Sequence, residues 1–338
     1  MTASGPSPLA LSLGDPAGVG PEIVAKAWLA LKDRGPAFVV VGDGDLLARQ
    51  GVPIERVSSM AEGARAFSGS LPVLDLPLDS PVEPGKPSAA HAPGIIRWIE
   101  TAAALALSGE ASGVVTAPIA KAPLYEAGFK FPGHTEFLAD LTAHAPMGGA
   151  KSRERGPVMM LASGDLRTVL VTIHEPYARA PSLLTVDRIV HVALVTAEAL
   201  ERDFGVERPR LAVAGLNPHA GESGAIGREE VEIIAPAVAA LRRRGIDAVG
   251  PKPADTLFHP EARQTYDAAV CMYHDQALIP VKMLDFWGGV NVTLGLPIVR
   301  VSPDHGTGFD VAGRGVARPD SLIAALRCAA AIAERRAT

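Results

Sequence analysis

DRIVHVALVTAEALERDF (residues 187–204), then GVERPR, then LAVAGLNPH (211–219) is the stretch whose reading decides the fold. The first part carries apolar residues at helical spacing and predicts a helix over Asp187–Phe204, stopped by Gly205. Leu211–Leu216 is a short continuous apolar run, as in a strand buried on both faces, and it leads through Asn217-Pro218 into His219. The same alternation extends outward in both directions. Strands are predicted over Phe38–Val41, Gly113–Thr116, Thr168–Ile173 and Ala268–Tyr273. Helices are predicted over Glu22–Arg34, Ile95–Leu107, Arg228–Arg244 and Ser321–Arg336. Alternating strands and helices with buried strands mean an α/β protein, its sheets mostly parallel and flanked by helices. Two segments read as surface loops: the proline-dense Leu74–Pro93 and the charged, glycine-containing Met147–Pro157.

Composition narrows the class. The chain has 338 residues, 48% hydrophobic and 20% charged, enough for a large core and about two domains. Lys and Arg number 32 against 37 Asp and Glu, net charge −5, which speaks against a dedicated nucleic-acid binder. Two cysteines, Cys271 and Cys328, support neither a disulfide framework nor a cysteine-built zinc site. No basic segment precedes an apolar run at the N-terminus, and Arg327 and Glu334 break the apolar C-terminal stretch. A cytoplasmic protein, binding neither nucleic acid nor membrane, is expected.

Three of the predicted buried strands run into histidine: His174, His219 and His274. Ligands of open α/β sheets bind beyond the carboxyl ends of strands, and three imidazoles at that address suit one divalent ion. Taken singly, each histidine reads better as a strand cap bonded to a backbone carbonyl. A second constellation follows the third histidine: Lys282 and Arg300 inside apolar sequence, with Asn291 between them. A cation among such neighbours needs an anion, either a bound phosphate or carboxylate or an internal one. Gly133-His134-Thr135-Glu136 presents polar side chains ahead of a helix predicted over Phe137–Thr142, where Thr135 also reads as an N-cap. The glycine-rich turns at residues 14–22 and 304–310 carry neither the dinucleotide fingerprint nor the phosphate-loop motif.

Taken in order, GDPAGVGPE (14–22), APIAKAPLYEAGFKFPGHTEFLA (117–139), GLNPHAGESGAIGREE (215–230), PADTLF (253–258), YHDQ (273–276), GVNVTLGLP (289–297) and DHGTGFDVAG (304–313) resemble the 4-hydroxythreonine-4-phosphate dehydrogenase family. That family is similar in turn to the isocitrate and isopropylmalate dehydrogenases. The resemblance implies a two-lobed α/β/α fold with mostly parallel sheets, lobes of residues 1–130 plus 305–338 and 131–304, and an active site in the interlobe cleft. It implies one divalent ion (zinc, cobalt, magnesium or manganese) on His174, His219 and His274, and NAD as hydride acceptor, NADP being the other option. Substrate contacts map onto His134, Thr135, Lys282, Asn291 and Arg300, and cofactor contacts onto Gly306, Thr307 and Asp310. Asp255 is the candidate general base, with His134 as the other. The second lobe carries the metal ligands and the dimer interface of a homodimer whose subunits complete each other's metal site. The implied reaction oxidises 4-phosphohydroxy-L-threonine to a β-keto acid that loses carbon dioxide to give 3-amino-2-oxopropyl phosphate.

Ala277 after YHDQ, Gly308 after HGT and the segment Glu175–Arg179 depart from the usual pattern. They bear on substrate preference, so a related dehydrogenase of erythronate or threonate 4-phosphate, or of a cyclic diol carboxylate, is the nearest alternative. A metal-dependent hydrolase or aldolase is the alternative of a different class, and a non-catalytic phosphometabolite-binding protein is a third.

Overall fold

The computed structural model describes residues 7–148 and 154–337. The chain forms two compact units, Met1–Pro146 with Leu296–Thr338, and Met147–Gly295. The first unit begins with β1 (Leu9–Ser12), α1 (Gly20–Leu31), β2 (Phe38–Gly42), α2 (Gly44–Ala48), β3 (Ile54–Arg56), α3 (Met60–Ala66), β4 (Leu71–Asp75), α4 (Ala92–Leu107), β5 (Val114–Thr116), α5 (Lys121–Glu126) and α6 (His134–Leu141). The second unit holds β6 (Val158–Ser163), β7 (Leu166–Leu170), α7 (Val186–Phe204), β8 (Arg210–Ala214), α8 (Ala235–Arg243), β9 (Asp247–Lys252), α9 (Pro260–Arg263), β10 (Ala268–Cys271), α10 (His274–Leu284) and β11 (Val290–Leu294). The chain returns to the first unit with β12 (Arg300–Pro303) and α11 (Asp320–Ala337). The units divide at 146/147 and 295/296 rather than at 130/131 and 304/305, because α6 packs on α4 and β12 pairs with β5.

The first-unit sheet has the order β3-β4-β2-β1-β5-β12 and every pairing in it is parallel. Its central strands are buried along their whole length, as the continuous run Phe38–Gly42 requires of a sheet covered on both faces. Trp28 of α1 and Trp98 of α4 are buried there, and each indole donates to a backbone carbonyl, Phe67 O at 2.8 Å and Leu76 O at 2.9 Å.

The second-unit sheet has the order β11-β6-β7-β10-β8-β9. Strands β7, β10, β8 and β9 are parallel, but β6 pairs antiparallel with both β7 and β11. The run Val158–Ser163 is apolar enough to be buried in either direction, so its sequence does not reveal the hairpin that Gly164, at φ +56°, turns toward β7.

Helix α7 starts where Thr185 accepts a hydrogen bond from Arg188 N, and it stops, as its sequence predicts, at Gly205 in the left-handed region. The helix expected over Arg228–Arg244 opens instead with a π-helical turn, Glu230–Ile234, that continues into α8. The loop expected over Met147–Pro157 lies partly outside the described residues. No helix among the described residues is long and apolar enough to cross a membrane.

Candidate active site

In the first unit, the polar residues collect around Arg300, the first residue of β12. Its backbone is in register beside Val114, which brings its guanidinium to the end of β5. Nη2 donates to Thr116 Oγ1 at 2.9 Å, and only 3% of Arg300 is exposed. Burial pushes its pKa down to about 10, and the Glu136 carboxylate acts against that. A planar guanidinium fork suits a phosphate or carboxylate.

His134 opens α6 beside this cation. Gly133 precedes it in extended backbone, and Thr135 does not serve as the helix cap. The His134 ring is held well below its ordinary pKa, first by burial and then by the positive charges of Arg300 and Lys121. It is therefore neutral near pH 7. Its Nε2 is buried and has no hydrogen-bond partner, so a ring nitrogen stands ready for a ligand. Thr135 is half-buried on the same turn.

The two glycine-rich turns of the first unit pack on each other. Val19 N donates to Thr307 O at 2.8 Å, and a Cβ at Gly18 would stand 2.7 Å from that oxygen, so only glycine allows the approach. Asp15 Oδ1 accepts from Ala17 N at 3.0 Å and stiffens the first turn. Beyond the contact, Gly306 and Asp310 are exposed, and a Cβ at Gly306 would meet nothing within 4 Å. The backbone at Gly306 is therefore open to solvent.

In the second unit, the three histidines follow the adjacent parallel strands β7, β10 and β8, and so lie beyond the carboxyl ends of these strands. His174 comes four residues after β7, His219 five after β8, and His274 is the first residue of α10. The His174 and His274 ring centroids are 5.7 Å apart. His274 Nδ1 lies 2.7 Å from Asp275 Oδ1, and Tyr177 Oη donates to the other oxygen of that carboxylate. A carboxylate on Nδ1 leaves Nε2 for a metal, the arrangement found behind many histidine ligands. These two residues fit a zinc- or cobalt-like ion in donor type. The structure does not bring His219 to them: among the described residues no group of three or more His, Cys, Asp or Glu side chains could hold a metal ion.

His219 is exposed on a loop of unusual backbone. His219, Ala220, Glu222 and Ser223 all have φ between 44° and 57°, with Gly221 at 77°. A left-handed conformation costs a non-glycine residue roughly 1–2 kcal/mol, so something must hold these four in place. Glu230, 2% exposed, anchors the residues just before them: its Oε1 accepts from Leu216 N and Asn217 N, both at 2.7 Å, and its Oε2 from Asn217 Nδ2 at 2.9 Å.

Lys282 lies in the last turn of α10, half-buried, with Nζ 5.2 Å from the Phe286 ring centroid. Asn291 sits on β11 opposite Leu161, and its buried Oδ1 has no partner. Asp255, in a short 3-10 turn, is exposed. Sequence reasoning did not single out Thr116, Lys121, Tyr177, Asp275 or Glu230. Asp275 and Glu230 do lie inside the quoted YHDQ and GLNPHAGESGAIGREE segments.

Residues 35–329 match the model of the family described as pyridoxal phosphate biosynthetic protein PdxA. A 4-hydroxythreonine-4-phosphate dehydrogenase of Caulobacter vibrioides is 70% identical over 331 residues, 97% of this chain and 98% of that one. Among solved structures, the 4-hydroxythreonine-4-phosphate dehydrogenase of Klebsiella pneumoniae is 39% identical, with a TM-score of 0.85 over 98% of this chain and 99% of its own. A terephthalate 1,2-cis-dihydrodiol dehydrogenase of Burkholderia xenovorans is 28% identical, with a TM-score of 0.62 over 96% and 98%.

Proposed function

The chain belongs to the family of the pyridoxal phosphate biosynthetic protein PdxA, and on that premise we propose that it is a 4-hydroxythreonine-4-phosphate dehydrogenase. It oxidises 4-phosphohydroxy-L-threonine to 2-amino-3-oxo-4-(phosphooxy)butanoate, which decarboxylates to 3-amino-2-oxopropyl phosphate, in pyridoxine 5′-phosphate biosynthesis. One observation carries this reading: 70% identity across nearly the full length of a relative bearing that name. A cytoplasmic location belongs to the same proposal.

The finer assignments follow from the residues. Arg300 takes an anionic group of the substrate, oriented by Thr116. Asn291 Oδ1 accepts from a substrate amino or hydroxyl group, and Thr135 and Lys282 complete the set. Gly306, Thr307 and Asp310 would hold the phosphates of NAD⁺, which when bound would supply the hydride acceptor. His174, His219 and His274, completed across the homodimer described below, would hold one divalent ion, which when bound would acidify the substrate hydroxyl. His134, neutral and with its buried Nε2 free of protein partners, offers a hydrogen bond to the substrate, and the exposed Asp255 is the candidate general base.

A homodimer is part of the proposal. Ile279, Met283 and Leu284 of α10, with Phe286 and Trp287 just beyond it, form an exposed apolar run, 60%, 80%, 46%, 60% and 49% accessible. A second copy covers this run and supplies the ligand that completes each metal site. Mixing inactive His274→Ala and His219→Ala variants should then restore activity as subunits exchange; an active monomer in sedimentation refutes the shared site.

The enzyme assay follows NADH formation from 4-phosphohydroxy-L-threonine with and without chelator, beside erythronate 4-phosphate, threonate 4-phosphate and a cyclic diol carboxylate. Preference for the first substrate and loss of activity with chelator are expected. Preference for the diol would shift the reading toward the dihydrodiol dehydrogenase at 28% identity.

A further inference from the structure

We infer that Glu230 is a positioning residue for His219, locking the left-handed loop that presents this imidazole; the inference rests on the proposal that His219 is a metal ligand.

Two rare backbone forms meet at this carboxylate. On one side is the left-handed run from His219 to Ser223, in which four of five residues are not glycine. On the other is the π-helical turn Glu230–Ile234, where an α-helix would have begun. An added residue per turn rotates the side chains that follow, and such bulges recur at functional sites. Here the turn starts with Glu230 itself, whose side chain is buried against the loop.

The contacts are made to the loop's base and flank. Leu216 N and Asn217 N both donate to Oε1 at 2.7 Å, which fixes the chain just as it leaves β8. Asn217 Nδ2 bridges Glu230 Oε2 at 2.9 Å and Glu229 Oε2 at 2.7 Å, so both carboxylates grip one amide. The fit excludes anything larger around it. A Cβ on Gly221 would stand 2.5 Å from Glu230 Oε2, and one on Gly227 would stand 2.2 Å from Asn217 Nδ2. His219 is two residues beyond the clamped amide. Its own ring is exposed, so the backbone, and through it Glu230, sets where the imidazole points.

Glu230 touches neither the ion nor the substrate in this reading. It acts by keeping populated a loop conformation that the backbone alone disfavours. Glutamine keeps the acceptor for the two amides but sets an NH₂ against Asn217 Nδ2. Alanine removes every acceptor.

The test has two readouts on the homodimeric protein, wild type and Glu230→Ala, Glu230→Gln, Asn217→Ala and His219→Ala. Amide hydrogen exchange of residues 216–224, measured without metal, should rise at least tenfold in Glu230→Ala and less in Glu230→Gln. Co²⁺ affinity, followed by its visible absorption and by chelator competition, should fall at least tenfold in Glu230→Ala and recover in part in Glu230→Gln. His219→Ala should lose affinity as well, without faster exchange at Leu216 and Asn217. Should Glu230→Ala not fold, Asn217→Ala, which removes only the bridging amide, carries the same two measurements. Unchanged loop exchange in a folded clamp variant overturns the inference. So does unchanged Co²⁺ affinity in the clamp variants when His219→Ala loses it. If neither the clamp variants nor His219→Ala lose affinity although exchange rises, His219 is not a ligand and the underlying reading falls instead.

Discussion

Replacing Thr116 by Val removes one hydroxyl from beneath Arg300 and almost nothing else. Thr116 has no exposed surface, and valine fills the same volume, so no cavity term enters. What is lost is the 2.9 Å bond from Arg300 Nη2 to Oγ1, a bond from a charged donor in a buried place. Such bonds contribute roughly 1.5–3 kcal/mol, so about 2 kcal/mol is expected here. In a cooperative unit of about 150–250 residues each kcal/mol moves Tm by about 2–4 °C, giving a fall of about 4–8 °C. The guanidinium also loses one of the contacts that orient it. If Arg300 grips the substrate's anionic group, KM should rise about tenfold, the equivalent of roughly 1.4 kcal/mol, with a smaller change in kcat. Thermal unfolding by circular dichroism in ligand-free protein reads the first effect, and steady-state kinetics the second. Thr116→Ser separates the two, because it restores the acceptor while leaving a methyl-sized void: KM should return to normal although Tm stays low. A valine variant with both Tm and KM unchanged would refute the argument that this hydroxyl supports a buried, substrate-binding cation.

Three further outcomes test other parts of the site. His134 has a folded-state pKa below its unfolded value near 6.5, so below that pH the unfolded chain binds the proton first and stability falls as pH falls. Urea unfolding of wild type should therefore lose stability from about pH 6.5 to 5 by up to about 1.4 kcal/mol per pH unit more than His134→Gln; parallel curves refute it. Asp275→Asn should weaken metal binding about tenfold, the low end for a carboxylate behind a histidine ligand, because its side chain is 45% exposed. Chelator competition showing no loss would remove Asp275 from the site. Burial pushes the Cys271 thiol up and encloses it, whereas Cys328 is only half-buried. Alkylation of native protein, mapped by mass spectrometry, should label Cys328 alone; labelling of Cys271 at a comparable rate would contradict its burial.

How far the sequence could be read depended on whether a feature was local. Helix α7 was legible to within a residue because the apolar spacing and Gly205 lie in the segment they define. The burial of β2 was legible because its whole run is apolar. The antiparallel setting of β6 was not, since strand direction is decided by a partner and leaves no mark on a run such as VMML. The address of the three histidines was legible in the same way as the strands: each follows an apolar run, and the runs prove to be adjacent and parallel. The supports were hidden. Thr116 meets Arg300 across 184 residues, and Tyr177 meets Asp275 across 98. Glu230 is an instructive middle case, only 13 residues from Asn217. Its carboxylate reads in sequence as one of several acids opening a helix over Arg228–Arg244, where an exposed place at the positive helix end would be ordinary. Only the fold reveals that the helix begins with a π turn and that this acid points inward to three donors. Sequence pattern thus marks candidate ligand-facing groups, because strand ends and glycine turns advertise them. The groups that hold those residues in place are set by packing between segments, and a single chain of letters does not record it.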